Sequence, residues 1–331
     1  MRDIFVDKLK GYACFWVVFG HVIMGIRLSG IEIPGMFYIA EKFIWSFHIY
    51  LFLFLSGYVY KITNEWRNKG TKVKFIKYKF FNLGIPYIFF SALYVLINSI
   101  TVSANTQFAV SDILMIWKKP IAQYWFLYAL LFLFFIWTVL SDRLKNWQIT
   151  VLIAGLSYIV PLAGGRFEAF DVVFSSAAAF GLGTFSDLTY LKKCSGKAKI
   201  LIPICHAALG IVLAYYDLTD KPFIKEIMMF FGIYSSIIFI SFFEKNKLAG
   251  RFFMFMNKYS FQIYLLHTIF TAGIRIILVR LGINNWLVHI VCGCIFGIGM
   301  SVFAAYSAEK LTIFNFFFFP SKTVKKLKKK N

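Results

Sequence analysis

Residues 121–141 read IAQYWFLYALLFLFFIWTVLS, a run of 21 residues without a charged side chain. Roughly 20 apolar residues in an α-helix cross a bilayer core about 30 Å thick, so this run predicts a membrane-spanning helix. The rest of the chain has the same character, since 60% of its 331 residues are hydrophobic and only 15% are charged. A soluble domain has about 25% charged residues. The composition therefore excludes a water-soluble fold, a disordered chain and a disulfide scaffold.

Ten apolar segments of this kind follow one another along the chain, with glycine and serine diluting the fifth to the seventh. They predict an all-α integral membrane protein, a bundle of about ten transmembrane helices. Their approximate limits are 12–29, 43–60, 80–100, 121–141, 147–164, 169–186, 199–216, 224–243, 259–279 and 285–306. The connections are short and there is no internal repeat, so we expect a single transmembrane domain over residues 1–331.

The net charge of +21 is distributed unevenly between the two sides of this predicted bundle. With the amino terminus in the cytoplasm, 27 of the 36 lysine and arginine residues fall in cytoplasmic segments and 7 on the opposite side. Basic loops stay in the cytoplasm, so we expect both termini there. The tail at about 320–331 is polybasic and suits an anchor on anionic lipid. No basic face carries interleaved aromatic residues, so we expect no nucleic-acid partner.

The cysteines do not suggest a metal site or a disulfide framework. There are five, an odd number, and four of them lie inside apolar segments. Structural zinc sites and disulfide frameworks use paired or closely spaced cysteines. We therefore expect no metal.

Ionisable side chains at bilayer depth are costly and commonly mark a functional site. His21 lies about halfway along the first segment, and Lys10, Cys14 and His21 follow one stripe of a helix. The helical rise places Lys10 about 16 Å from His21. A long anionic ligand from the cytoplasm could bind its phosphates at Lys10 and present its reactive end to His21. An interhelical hydrogen bond for His21 and a snorkelling role for Lys10 are the alternatives, and position alone does not choose between them.

Five motifs, in order along the chain, resemble those of the acyltransferase-3 family of membrane-bound acyltransferases, including the branch that O-acetylates sugars. Residues 7–22, DKLKGYACFWVVFGHV, are similar to its opening signature, and residues 47–58, FHIYLFLFLSGY, to its second-helix motif. Residues 79–87, KFFNLGIPY, resemble its basic third segment, which ends in Pro-Tyr. Residues 123–127, QYWFL, and residues 260–267, SFQIYLLH, resemble two later motifs.

The resemblance implies transfer of an acyl group, usually acetyl from acetyl-CoA, to a hydroxyl of a cell-surface polysaccharide or its lipid-linked precursor. It implies a multi-pass protein of a bacterial inner or plasma membrane, with acyl-CoA, a glycan acceptor and the lipid bilayer as partners. His21 is the expected catalytic base or acyl carrier, because a neutral imidazole near pH 7 can accept the proton of an alcohol or attack a thioester. Lys10, Lys79 and Asn82 are the expected acyl-CoA contacts. The expected substrate-site side chains are His48, Ser56, Tyr124, Trp125, Tyr264 and His267.

The sequence departs from the family pattern at two of these positions. Lys10 stands where the family often has arginine, which keeps the charge but loses the bidentate fork. The paired arginines of the third segment appear here as Lys79 and Asn82, so one of the two charges that would contact CoA is missing. His206 and His289 match no motif, and we interpret both as structural.

A multi-span transporter or flippase of envelope glycans is the competing interpretation, because charged residues at bilayer depth also suit transport. Inverted repeats or matching broken helices would favour it, and the sequence shows neither. A structural membrane partner without chemistry would leave the alignment of His21 with Lys10 unexplained. The sequence does not identify the acceptor, the length of the acyl group, the side of the membrane on which transfer occurs, or whether copies of the chain associate.

Overall fold

The computed structural model describes residues 3–63, 65–68, 70–101, 105–162, 168–194, 196–244 and 246–328. Within these ranges the chain is helical and has no β-strand. The last three residues of the predicted polybasic tail, 329–331, lie outside them. The helices up to residue 162 are α1 (Ile4–Leu28), α2 (Gly35–Trp45), α3 (His48–Thr63), α4 (Glu65–Asn68), α5 (Lys72–Lys79), a π-helix (Phe80–Gly84), α6 (Ile85–Ile100), two 3₁₀ helices (Val110–Met115 and Ala122–Tyr124), α7 (Trp125–Leu140) and α8 (Asn146–Leu162).

The remaining helices continue the same pattern of long apolar segments with short helices between them. They are α9 (Glu168–Phe185), α10 (Leu188–Leu191), α11 (Gly196–Tyr215), α12 (Ile224–Phe242), α13 (Lys247–Lys258), α14 (Ser260–Arg280), α15 (Trp286–Lys310), α16 (Thr312–Phe318) and α17 (Pro320–Lys328). All ten predicted segments are therefore helical, and the all-α membrane fold is confirmed.

Eight stretches of the described chain are long and apolar enough to cross a bilayer. They are Ile4–Leu28, Gly35–Thr63, Lys72–Ile100, Ala122–Leu140, Gly196–Tyr215, Ile224–Phe242, Ser260–Arg280 and Trp286–Lys310. The difference from ten lies in α8 and α9. Helix α8 has 17 residues, and α9 carries Glu168 and Asp171 in its first turn. These two helices pack on each other, with Gly181 of α9 directly against the side chain of Thr150.

We expect reporter fusions at Asn331 and near Gln107 to give opposite signals, with residue 331 in the cytoplasm. The expectation follows from the uneven distribution of basic residues. It holds for eight spans or ten, because α8 and α9 are consecutive and together return the chain to the same side. A phosphatase or fluorescent-protein fusion at each position measures this. Matching signals at the two positions would show that the number of spans between them is wrong.

The chain forms two compact units, Met1–Leu55 with Asp187–Phe303, and Ser56–Ser186 with Ala304–Asn331. We call them unit 1 and unit 2. In unit 1 the first helix is the central element, and its residues Cys14, Val18, Val22 and Ile26 pack into a buried apolar cluster with side chains from α13, α14 and α15. Gly11 allows the closest approach, since a Cβ there would overlap the carbonyl oxygen of Phe253 in α13.

The core of unit 2 is aromatic. Trp137 of α7 lies 5.0 Å from Phe180 of α9, between ring centroids, and Phe134 lies 5.3 Å from the same ring. Tyr60 of α3 adds a third ring, 5.9 Å from Phe134. Gly57 permits this packing because a Cβ at that position would overlap the carbonyl oxygen of Phe180.

Two helix boundaries differ from the sequence prediction in ways that matter for the site. Helix α1 begins at Ile4, because the Asp3 carboxylate accepts hydrogen bonds from the backbone N–H groups of Phe5 and Val6 as an N-cap. The predicted second helix is interrupted after Trp45. Helix α3 begins at His48, and within the break the Ser46 hydroxyl donates to the carbonyl of Phe43.

Candidate active site

His21 is the polar residue in the middle of α1 that keeps accessible surface. Its neighbours Val17, Val18 and Val22 are buried, whereas His21 is half-buried. Its Nδ1 atom is nevertheless buried and has no hydrogen-bond partner among the described residues. The ring therefore combines an orphan nitrogen inside the protein with an edge that keeps accessible surface.

His267 of α14 is the nearest imidazole to His21. The two ring centroids lie 4.9 Å apart, and the His267 side chain is fully buried. Its Nδ1 lies 2.8 Å from the carbonyl oxygen of Ile263 and 3.0 Å from that of Tyr264. A carbonyl only accepts, so the proton of neutral His267 is on Nδ1 and its lone pair is on Nε2. That Nε2 is buried and, in the described part of the chain, has no partner.

Trp45 and His48, at the interruption between α2 and α3, complete the cluster around His21. The Trp45 ring lies edge-on to His21 and to His48, with both centroid separations 4.9 Å. His48 is buried, and its Nδ1 lies 2.6 Å from the carbonyl oxygen of Ile44. Because a carbonyl only accepts, neutral His48 carries its proton on Nδ1 and its lone pair on Nε2, as His267 does. Three histidines and one tryptophan of unit 1 thus form one group.

Sequence reasoning missed Trp45. The signal was available, because Trp45 stands one helical turn before His48 and immediately before the break in the helix. It also missed Glu41, a buried carboxylate at 5% exposure that accepts two hydrogen bonds from Arg27, at 2.8 and 2.9 Å. This bidentate pair explains how Arg27 is tolerated near the end of α1.

Arg275 of α14 lies about two helical turns after His267. It is buried at 8% exposure, and its Nη1 atom occupies the space where a side chain at Gly25 would begin. Gly25 follows His21 by four residues on the same face of α1. The structure places the Arg275 guanidinium inside unit 1 against α1.

Lys10 is half-buried and shares the helix of His21, as the sequence predicted. The stripe between them is filled, because Cys14, Val17 and Val18 are buried against protein. A ligand that touches both residues must therefore pass beside this stripe. At this end of α1, Lys8 is buried, in contrast to Lys10. Its Nζ donates to the carbonyl oxygen of Glu244 at 2.7 Å, and Glu244 lies just after α12.

Lys79 and Asn82 lie in unit 2, at and within the π-helix. Pro86 follows it, and a proline ring clashes with the carbonyl four residues earlier, which accounts for the widened turn. The Lys79 ammonium lies 3.9 Å from the ring centroid of Phe134 in α7. The Asn82 side chain donates to the carbonyl of Tyr78 and to the hydroxyl of Ser321, and it accepts from the backbone N–H of Ser321. Its amide thus holds the start of α17.

The other predicted residues of unit 2 do not form one cluster with Lys79. Tyr124 is fully buried and Trp125 is half-buried at the first turn of α7, whereas Phe134, which contacts Lys79, is nine residues further along. The helical rise separates Trp125 from Phe134 by about 14 Å. Ser56 is half-buried in α3. In unit 1, Tyr264 is buried and joins the site through its backbone carbonyl, which contacts His267.

A comparison with protein families assigns the chain to a known class of enzymes. The model of the acyltransferase domain of the acyltransferase-3 family matches residues 3–306. The chain belongs to the acyltransferase-3 family. No curated protein and no solved structure shows significant similarity to it.

As a membrane acyltransferase of this family, the protein carries its imidazole cluster inside the matched region, on apolar helices that can cross the bilayer. His206 and His289 lie outside the cluster. His206 packs against Phe43, Phe47 and Phe231, and His289 bonds the carbonyl of Ile283 at 2.8 Å. Within the described residues, no group of three or more His, Cys, Asp or Glu could hold a metal ion.

Proposed function

We propose that this acyltransferase moves an acetyl or similarly short acyl group from acyl-CoA to a hydroxyl of a cell-surface polysaccharide or a lipid-linked sugar. The observation that carries the proposal is the pairing of His21 with His267. The half-exposed ring of His21, at the middle of α1, lies against the fully buried ring of His267. Each ring has one buried nitrogen without a hydrogen-bond partner among the described residues. Membership of an acyltransferase family supports this reading over a transporter or flippase.

Acyl transfer to an alcohol needs a base for the hydroxyl proton and donors for the tetrahedral oxyanion. His21 is the proposed base because it is the member of the cluster with accessible surface. His267 is the proposed positioning residue. Its Nε2 lone pair can accept the Nδ1 proton of His21, and this bond would satisfy both orphan nitrogens and leave the lone pair of His21 on Nε2. Arg275 carries a fixed positive charge beside Gly25, one turn of α1 after His21, and is a candidate for the oxyanion.

In the direct route, Nε2 of His21 takes the proton of the acceptor hydroxyl as its oxygen attacks the thioester carbonyl. The carbon–sulfur bond then breaks, and the leaving thiolate takes the proton back from the imidazolium. In the covalent route, Nε2 of His21 attacks the thioester carbonyl, the carbon–sulfur bond breaks and CoA leaves as the thiolate. The acceptor oxygen then attacks the acyl carbon as its bond to Nε2 breaks, and the hydroxyl proton passes to the freed Nε2 and from there to the thiolate. Both routes use the same atom of His21 and the same tautomer.

As contacts for the anionic end of the donor we propose Lys10 in unit 1 and Lys79 with Asn82 in unit 2, each taken by itself. A π-helix is common at functional sites, and here it begins directly after Lys79. For the acceptor and acyl group we propose His48, Tyr264 and His267 in unit 1 and, on the family resemblance alone, Ser56, Tyr124 and Trp125 in unit 2. The proposal puts the protein in a bacterial inner or plasma membrane, where acyl-CoA is supplied from the cytoplasm.

Mass spectrometry of surface glycans from cells with and without the gene tests the overall function. We expect acyl substituents on a surface glycan or lipid-linked precursor to disappear with the gene and to return when it is restored. Unchanged acylation of every surface glycan would contradict an O-acyltransferase acting on the envelope. Purified protein incubated with labelled acetyl-CoA and the identified acceptor then provides the rate measurements for variants.

The role of His267 is tested by His267→Gln in that assay. We expect kcat to fall by about 10- to 100-fold, a part of the 10²–10⁴ that general-base catalysis contributes, while KM for acetyl-CoA stays unchanged. His206→Gln is the matched control, because it makes the same change at another buried histidine of unit 1. A loss confined to KM, or equal losses in the two variants, would show that His267 does not position the base.

A further inference from the structure

Unit 2 contains a basic cleft that the proposed acyl transfer does not use. It measures about 510 Å³ and lies between the end of α3, helix α4 and the connection from α7 to α8. Four cationic residues line it, each exposed to solvent, and they come from three separate parts of the chain. They are Lys61, Arg67, Arg143 and Lys145.

The single acidic residue of the lining is already compensated. Asp142 pairs with Lys72 at 2.6 Å, and Lys72 is not part of the lining. The same ammonium of Lys72 donates to the carbonyl of Val139 near the end of α7. The cleft is therefore lined by four cationic side chains and one carboxylate that is paired from outside the lining, and a concave surface concentrates such a field.

The four cations differ in whether they have a structural role. Lys61 has one, because its ammonium donates to the carbonyl of Ser186 at 2.8 Å, just after α9 ends, and so helps to cap that helix. Arg143 and Lys145 make no ion pair with a carboxylate among the described side chains. Like charges held close together cost free energy unless an anion joins them.

Among the remaining lining groups, Asn146 suits an oxyanion as well. Its half-buried amide donates one N–H to the carbonyl of Thr184 and has a second N–H to offer, whereas the Ser141 hydroxyl already donates to the carbonyl of Thr138. Helix α8 begins at Asn146, so the positive end of a 17-residue helix also borders the cleft. Arginine and lysine together with hydroxyl and amide donors are the groups that bind phosphate.

We propose that this cleft is a binding site for a phosphate-bearing anion with two or more negative charges. Two sources supply that chemistry on the side where these loops are expected: the phosphorylated headgroup of an anionic lipid in the cytoplasmic leaflet, and a soluble nucleotide phosphate. The site is separate from the imidazole cluster of unit 1, and the inference does not depend on acyl transfer, because binding is measured without turnover.

The test uses the full-length purified protein and the double variant Arg143→Gln/Lys145→Gln. In one arm, calorimetric titration in neutral detergent uses pyrophosphate and adenosine 3′,5′-bisphosphate as probes. In the other, native mass spectrometry counts phosphatidylglycerol and cardiolipin retained from mixed nanodiscs. The matched control is Lys118→Gln/Lys119→Gln, which removes two charges from exposed lysines elsewhere in unit 2.

We expect the double variant to weaken binding by about tenfold or more at low salt, with the wild-type affinity falling as salt rises. The control should stay within about twofold. Loss in the first arm identifies a soluble phosphate as the ligand, loss in the second identifies a lipid headgroup, and loss in both identifies a shared phosphate site. Wild-type binding by the double variant in both arms, or no binding of any probe by the wild type, would overturn the proposal. All four side chains are exposed, so both variants should fold, and thermal unfolding checks this.

Discussion

Replacement of His21 by alanine is expected to abolish acyl transfer while the protein still inserts and folds. His21 is the half-exposed member of the imidazole cluster, whereas His267 and His48 are buried and bond backbone carbonyls through Nδ1. Loss of a general base costs about 10²–10⁴ in rate, and loss of an acyl carrier removes the covalent route altogether. The measurement is acetyl transfer by purified protein, supported by mass spectrometry of surface glycans.

His206→Ala is the control for this experiment, because it truncates another imidazole of unit 1 that lies among phenylalanines outside the cluster. We expect it to lower stability and protein yield without a matching loss of kcat per folded molecule. Near-normal product from a well-expressed His21→Ala variant would show that His21 is neither the base nor the acyl carrier. The proposed mechanism would then fail, although the family assignment would stand.

Removal of the ammonium group of Lys10 or Lys79 is expected to weaken acetyl-CoA binding by roughly 5- to 150-fold. Coenzyme A carries several phosphate charges and is made in the cytoplasm, and these lysines lie on segments expected at that surface. The range follows from about 1–3 kcal/mol for a charge-assisted hydrogen bond, at 1.4 kcal/mol per decade. Lys10→Arg should preserve binding or improve it, since arginine is the residue the family often has there. Lys10→Glu should bind worse than Lys10→Ala.

Two further variants make this titration specific. Lys328→Ala removes an exposed tail lysine and should leave the affinity for acetyl-CoA almost unchanged. Lys8 is the buried cation two residues before Lys10, and its ammonium contacts the chain just after α12. Lys8→Ala should therefore lower the stability of the protein more than its affinity for acetyl-CoA. The donor docks elsewhere if the tail variant loses affinity while the Lys10 and Lys79 variants keep it.

The sequence by itself determined the fold class and the positions of the helices. Lipid offers no hydrogen bonds to an open backbone, so each crossing must be mainly helical and apolar, and such runs are visible one at a time. For this reason all ten predicted segments are helical. The same reasoning singled out His21, because a titratable group in an apolar run is conspicuous whatever surrounds it. The five quoted motifs identified the family, which the family model confirms over residues 3–306.

Only the tertiary structure decided which side chains meet. The contact of His21 with His267 joins residues 246 positions apart, and the bidentate pair of Arg27 with Glu41 depends on how α2 packs against α1. The break between Trp45 and His48 is a local change of the backbone, and hydropathy does not register it. The burial of Lys8 in place of Lys10 follows from where α12 ends. These features depend on how side chains pack and on which partners buried polar groups find for their hydrogen bonds. Packing and hydrogen bonding of this kind join residues that are far apart in the chain, so no single segment of the sequence reveals them.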